Sequence, residues 1–161
     1  MPLLQRWMND PLAQQWLAGL LPRSARAEQA WAARASTDPK RPTFIIQTHS
    51  GLDIGLIMLR VIDAHAELGV GIHNTRYWDR GYGQDAVEVL VDGAFRALPL
   101  HRIELFVLPD NLRAIRCYEK AGFAREGLLR KYQFARGKLR DVVVMSTLHE
   151  EWLLRRDDSA E

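Results

Sequence analysis

Three strand-like runs follow one another between residues 44 and 72, and this succession restricts the fold more than any other feature of the chain. The runs are 44–48, 54–62 and 65–72, separated by the turn residues Ser50 and Gly51 and then by Asp63. Strands joined by such short turns pair with their immediate neighbours, so the segment predicts an antiparallel meander. In the third run, Ala64, Ala66, Leu68, Val70 and Ile72 fall on one face, and His65, Glu67, Gly69, Gly71 and His73 fall on the other. The two glycines leave a bare strip on that strand, which suits a bulge, a close sheet contact or a ligand lying alongside.

Helical patterns lie on either side of the meander. Leu12, Trp16 and Leu20 recur at helical spacing, and after Pro22 a second helix is predicted over 25–35, with Ser24 placed to cap it. Pro39 and Pro42 end this region. Beyond the meander, Val87, Leu90, Val91, Ala94 and Leu98 line one side of a helix over 84–98, followed by a strand over 103–108. A short helix over 111–121 stops at Gly122, and two strands, 124–134 and 139–148, turn at Arg136 and Gly137. A polar tail is expected after Trp152. The order implies an α/β (α+β) fold, a mixed and mostly antiparallel central sheet flanked by helices, and 161 residues suit a single domain over 1–161.

The 22 basic and 20 acidic residues are interspersed, so no basic block predicts a nucleic-acid surface. No apolar run approaches the roughly 18 residues that cross a bilayer, and the first ten residues do not read as a signal peptide, so no membrane partner is expected. Cys117 is the single cysteine, which precludes an internal disulfide and a cysteine-rich metal site and fits a cytoplasmic protein without a metal.

Chemistry enters at Arg80, Gly81, Tyr82 and Gly83, just before the predicted helix. Glycines there let backbone approach a ligand closely, the free N–H groups of the first helical turn favour an anion, and Arg80 adds a positive charge. An ordinary glycine turn into a helix fits the two glycines equally well. A dinucleotide fingerprint, G-x-G-x-x-G/A, also fits residues 81–86, with Glu104 as its ribose acid. Against it, the polar and aromatic stretch 73–80 separates the glycines from the preceding strand. Glu104 also falls near the start of its own strand, and too few β-α units follow for a doubly wound sheet.

The chain resembles the GCN5-related N-acetyltransferase superfamily, in its branch of ribosomal-protein N-terminal and spermidine acetyltransferases. The likeness runs in order through WMNDP at 7–11, AELGVGI at 66–72, YWDRGYGQDA at 77–86, HRIEL at 101–105, NLRAI at 111–115, YEKAGF at 118–123, EGLLR at 126–130 and residues 141–145. The resemblance implies that acetyl-CoA is the cosubstrate and an amine the acceptor, in a direct transfer. It maps the pyrophosphate segment R/Q-x-x-G-x-G/A onto Trp78, Asp79, Arg80, Gly81, Tyr82 and Gly83, with Trp78 departing from the usual Arg or Gln. It places Val70, Gly71 and Ile72 beside the pantetheine arm, on a strand that splays from its neighbour.

The same resemblance matches Asn111 to a pantetheine-binding asparagine and Tyr118 to the general acid, seven residues on and two helical turns away. A tyrosine suits that role because it remains protonated at neutral pH. The plain alternatives are a helix cap for Asn111 and a core aromatic for Tyr118. Glu67 is the candidate for removing the amine proton through water, or for binding a cationic amine, with His65 and His73 as fallback bases. Cys117 reads as a small core hydrophobe, since direct transfer needs no acyl-enzyme. Members of the superfamily normally start with a strand that here is missing or shortened, which a different start site would explain equally well, or which would expose a sheet edge and favour aggregation, a homodimer or a substituted partner strand. The acceptor stays open among a protein N-terminus, a polyamine and a small-molecule amine. The helix over 25–35 carries only Glu28 against Arg26 and Arg34, which leans towards a peptide or another acceptor over a polyamine.

Overall fold

The computed structural model describes residues 2–16, 24–135 and 137–158. Leu20, Pro22 and Arg136, used in the sequence reading, lie outside the described residues. Six strands form one sheet in the order β1-β2-β3-β4-β6-β5, with β1 Thr43–Gln47, β2 Asp53–Ile62, β3 His65–Ile72, β4 Arg102–Val107, β5 Ala124–Ala135 and β6 Lys138–Leu148. All neighbouring pairs are antiparallel except β3 with β4.

The expected meander is present as β1, β2 and β3. Thr48 builds its first turn, its hydroxyl accepting from Leu52 N–H at 3.1 Å, while Gly51 takes φ +82°. Asp63 turns the second at φ +58°, a left-handed conformation that Asp tolerates.

Helices cover both faces. α4 Tyr82–Ala97 turns Val87, Val91, Ala94 and Phe95 inward, and α5 Leu112–Lys120 contributes Ile115 and Tyr118. They pack on Ile57 and Leu59 of β2, Ala66 and Leu68 of β3, and Ile103 and Leu105 of β4 in the main core. On the opposite face, α1 Pro2–Met8 and α3 Ala25–Ala35 bring Leu4, Trp7, Trp31 and Ala32 onto Leu56 of β2. The 3.6- and 2-residue periods thus sort apolar side chains onto facing surfaces.

Two expectations need correction. The first helical region is two short helices, α1 and α2 Pro11–Gln14, broken where Asp10 caps α2 by accepting from Leu12 N–H at 2.8 Å. The residues expected as a polar tail form α6, His149–Asp158. Glu150 and Glu151 in its first turn and Arg155 and Arg156 in its last complement the helix dipole, and Trp152 anchors it to the core. No strand precedes α1 among the described residues, and β1 is an edge strand.

Candidate active site

The parallel pairing of β3 with β4 lasts only from His65–Arg102 to Glu67–Glu104. Past that point β3 stays with β2 as far as Ile72, and β4 stays with β6 as far as Val107. The two central strands therefore part, and the inner edge of each is left open. His73 N–H donates to Ile54 O at 2.8 Å. By the alternation of an antiparallel ladder, odd-numbered residues of β3 then bond to β2, and Val70 and Ile72 turn their N–H and C=O groups into the gap.

The glycine loop closes one end of this gap. Gly81, at φ +84°, is the N-cap of α4 and offers no side-chain cap, so the first N–H groups of the helix are open to a ligand. A Cβ at Gly81 would meet nothing within 4 Å, whereas one at Gly83 would lie 3.6 Å from Cys117 Sγ and 3.8 Å from Ile72 Cγ1. Gly83 thus sits against α5 and β3, and Gly81 faces open space. These residues fit a pyrophosphate.

Aromatic rings frame the loop. Arg80 stands 5.6 Å from the centroid of Tyr77, which meets Tyr82 edge-on at 5.5 Å. Trp78 Nε1–H donates to Ile72 O at 2.7 Å, and the Arg113 guanidinium lies 3.5 Å above the Trp78 ring. Asp79 takes a left-handed φ of +55°.

Asn111 is the N-cap of α5, its Oδ1 accepting from Ala114 N–H at 3.3 Å. Tyr118 lies in the main core beside Phe123. The capping and core roles anticipated for these two residues are thus both realised, and each leaves polar atoms for a further partner. Burial, reinforced by Cys117, pushes the Tyr118 hydroxyl well above the usual phenol range and keeps it protonated. Burial likewise pushes the Cys117 thiol up, which disfavours a thiolate nucleophile.

Glu67 is the last residue of β3 paired to β4, on the face opposite α4 and α5, and is ion-paired with Arg60 across the β2–β3 ladder. Beside it Glu104 binds Arg102 at 2.8 Å, and Arg102 reaches Glu126 at 2.5 Å. His65 opens β3. His73 is buried, stacked on Trp7 at 5.4 Å, with Nδ1 lacking a hydrogen-bond partner among the described residues. Burial lowers its pKa against the pull of Asp10, so the ring stays neutral.

The sequence reading missed Arg113, Arg60 and the Arg102 network. Arg60 had a signal, since it stands opposite Glu67 once the β2–β3 register is drawn. Arg113 had none, because Trp78 and α5 meet only through the fold. Glu104 sits in the third position of β4, in a sheet with one parallel pair, so the dinucleotide arrangement is absent. Among the described residues, no cluster of His, Cys, Asp or Glu is disposed to hold a metal, and no helix is long and apolar enough to cross a membrane.

Residues 1–124 match the family model of the acetyltransferase (GNAT) domain. An uncharacterised N-acetyltransferase, p20, of Bacillus licheniformis is 37% identical over 98 residues, 61% of this chain and 54% of that protein. The spermidine N(1)-acetyltransferase of Vibrio cholerae is 31% identical over 104 residues, 65% of this chain and 60% of that protein. The chain thus spans little more than half the length of these relatives. Among solved structures, a spermidine N-acetyltransferase from Vibrio cholerae in complex with CoA and spermine superposes with a TM-score of 0.86 at 24% identity, covering 94% of this chain and 91% of that one. That likeness shows a shared fold, with the sheet and helices expected from the sequence. The match over residues 1–124 establishes that the chain belongs to the GNAT acetyltransferase family.

Proposed function

We propose that this chain is one N-acetyltransferase domain over 1–161, which moves the acetyl group of acetyl-CoA directly to a primary amine within a ternary complex. The observation that carries the reading is the gap between β3 and β4, ending at the open N-terminus of α4 behind Gly81 and Gly83. Acetyl-CoA supplies the activated acetyl group. The amides of Gly81, Tyr82 and Gly83 bind its pyrophosphate, and Arg80 adds charge while Asp79 and Trp78 shape the loop. Val70 and Ile72 offer backbone groups to the pantetheine arm, Gly71 keeps the strand bare beside it, and the amide of Asn111 contributes from α5.

Tyr118 holds the proton that the departing sulfur takes up, and burial keeps that proton in place at neutral pH. Glu67 accepts the proton from the attacking amine through water, or holds the cationic amine first. The Arg60 guanidinium, ion-paired with Glu67 across the β2–β3 ladder, holds that carboxylate in position.

A primary amine is the acceptor class. The carboxylates of Glu67, Glu104 and Glu126 on one face of the sheet, and the relatedness to a spermidine acetyltransferase, support a polyamine. The sparse acidity of α3 supports a peptide N-terminus instead. Cytoplasmic residence accords with the lone free Cys117, and a homodimer accords with the edge strand β1, where Phe44 and Ile45 are exposed.

Saturating acetyl-CoA, at about a hundred times its Kd, raises the melting temperature by about 5 °C or more, and NAD leaves it unchanged. A shift with NAD and none with acetyl-CoA would refute the proposal.

A further inference from the structure

Arg113 has no role in the chemistry set out above, yet it sits directly over an aromatic ring beside the glycine loop. Its guanidinium lies 3.5 Å over the Trp78 ring, and the indole is itself fixed because Nε1–H donates to Ile72 O at 2.7 Å. A planar guanidinium stacked on an aromatic face keeps all its N–H donors in the plane of the stack, pointing outward. Those donors make no hydrogen bond or ion pair among the described residues, and Asp79 attracts the group electrostatically. Partial burial already disfavours the charge. A cation that is held rigid, partly desolvated and not hydrogen-bonded is set up to receive an anion.

Its place in the fold specifies which anion. Trp78 and Asp79 lead into Arg80 and Gly81, whose backbone opens the N-terminus of α4. One turn after Arg113 on α5, Cys117 Sγ lies 3.6 Å from where a Gly83 Cβ would stand. Arg113 therefore reaches the glycine loop from the α5 side, and Arg80, near Tyr77, reaches it from the loop itself.

We propose that Trp78 and Arg113 act as one unit, in which the indole is a platform that presents the Arg113 guanidinium to the cofactor's pyrophosphate. The proposal rests on the acetyl-CoA reading above. It gives Trp78 a part in cofactor binding although its own side chain donates only to Ile72, and it makes Arg113 a binding residue supplied by a second segment of the chain.

The test is calorimetric binding by the full chain and by Arg113→Ala, Arg113→Gln, Arg113→Lys and Trp78→Leu. Each is titrated with CoA, with dephospho-CoA, which lacks the 3′-phosphate, and with acetyl-pantetheine, which lacks every phosphate. Arg113→Ala and Arg113→Gln are expected to weaken CoA and dephospho-CoA alike by roughly tenfold to a hundredfold and to leave acetyl-pantetheine unchanged. Arg113→Lys restores only part of the loss, because a lysine does not stack as a fork. Trp78→Leu costs more affinity in the presence of Arg113 than in the Arg113→Ala background.

Unchanged CoA affinity in the Arg113 variants would overturn the proposal, as would an equal loss towards acetyl-pantetheine or a loss confined to CoA and absent with dephospho-CoA. Arg113→Gln keeps most of the packing and serves if Arg113→Ala fails to fold. A wild-type chain that binds neither CoA nor dephospho-CoA would overturn the acetyl-CoA reading itself, and this inference with it.

Discussion

A methyl group added at Gly55 would collide with the carbonyl oxygen of Gly71 and press to 3.0 Å on the Cα of Ile72. Both contacts are with backbone, which cannot rotate away as a side-chain tip can. Gly55→Ala is therefore expected to cost about 2–3 kcal/mol, read as a lower denaturation midpoint, and to weaken acetyl-CoA binding because the displaced segment borders the gap. A variant with wild-type stability and affinity would show that β2 does not hold β3 in place. Trp78 shows what a linear sequence conceals. The cap at Asn111 and the core place of Tyr118 were among the roles their positions suggested, but Trp78 could be read only as a departure in a glycine loop. Its partners, the Ile72 carbonyl and Arg113, come from two other segments.

Among the elements, the edge strand β5 is tied to the sheet centre by charge. Glu126 accepts from Arg102 at 2.6 and 2.5 Å and from Ser146 at 2.6 Å. These bonds hold its carboxyl down to about 2, with the Arg102 hydrogen bond the largest cause. An unfolded glutamate titrates near 4.3, so the stabilisation is fully present above that pH and is lost as pH falls through about 2. The Glu126 side chain is 41% exposed, so solvent screening limits the effect to under about 1 kcal/mol. Glu126→Gln should lower stability by that amount at pH 7, and the gap between variant and wild type should narrow as the pH drops from about 4.3 towards 2. Urea melts across that range would contradict this if the gap stayed constant. The strands were legible nearly to the residue because alternation and turn residues mark both ends of each run. α6 escaped because Trp152 is its single buried residue, leaving no apolar stripe to read, although Glu150, Glu151, Arg155 and Arg156 carry a helix's charge pattern. The period of Leu12 and Trp16 starts after the Asp10 cap, so it carried no sign of α1 or of the break before α2.

For the whole molecule, the decisive feature is non-local. β3 and β4 are separated in sequence by the glycine loop and α4, and three paired residues followed by divergence turn an ordinary sheet into a cleft. Alternation told which residues share a face of β3, but no pattern within a strand reports where its neighbour leaves it. Glu67 ends the β3–β4 pairing and Gly81 caps α4, two places that no pattern in the sequence relates. The most direct test is amine-dependent thiol release from acetyl-CoA by the purified full chain, with a panel of spermidine, a peptide with a free N-terminus and an aminoglycoside, the products weighed by mass spectrometry. At least one amine is expected to accelerate release with one acetyl group gained per thiol freed, and Tyr118→Phe to slow it about a hundredfold or more. Thiol release that no amine accelerates, or full activity in Tyr118→Phe, would contradict it.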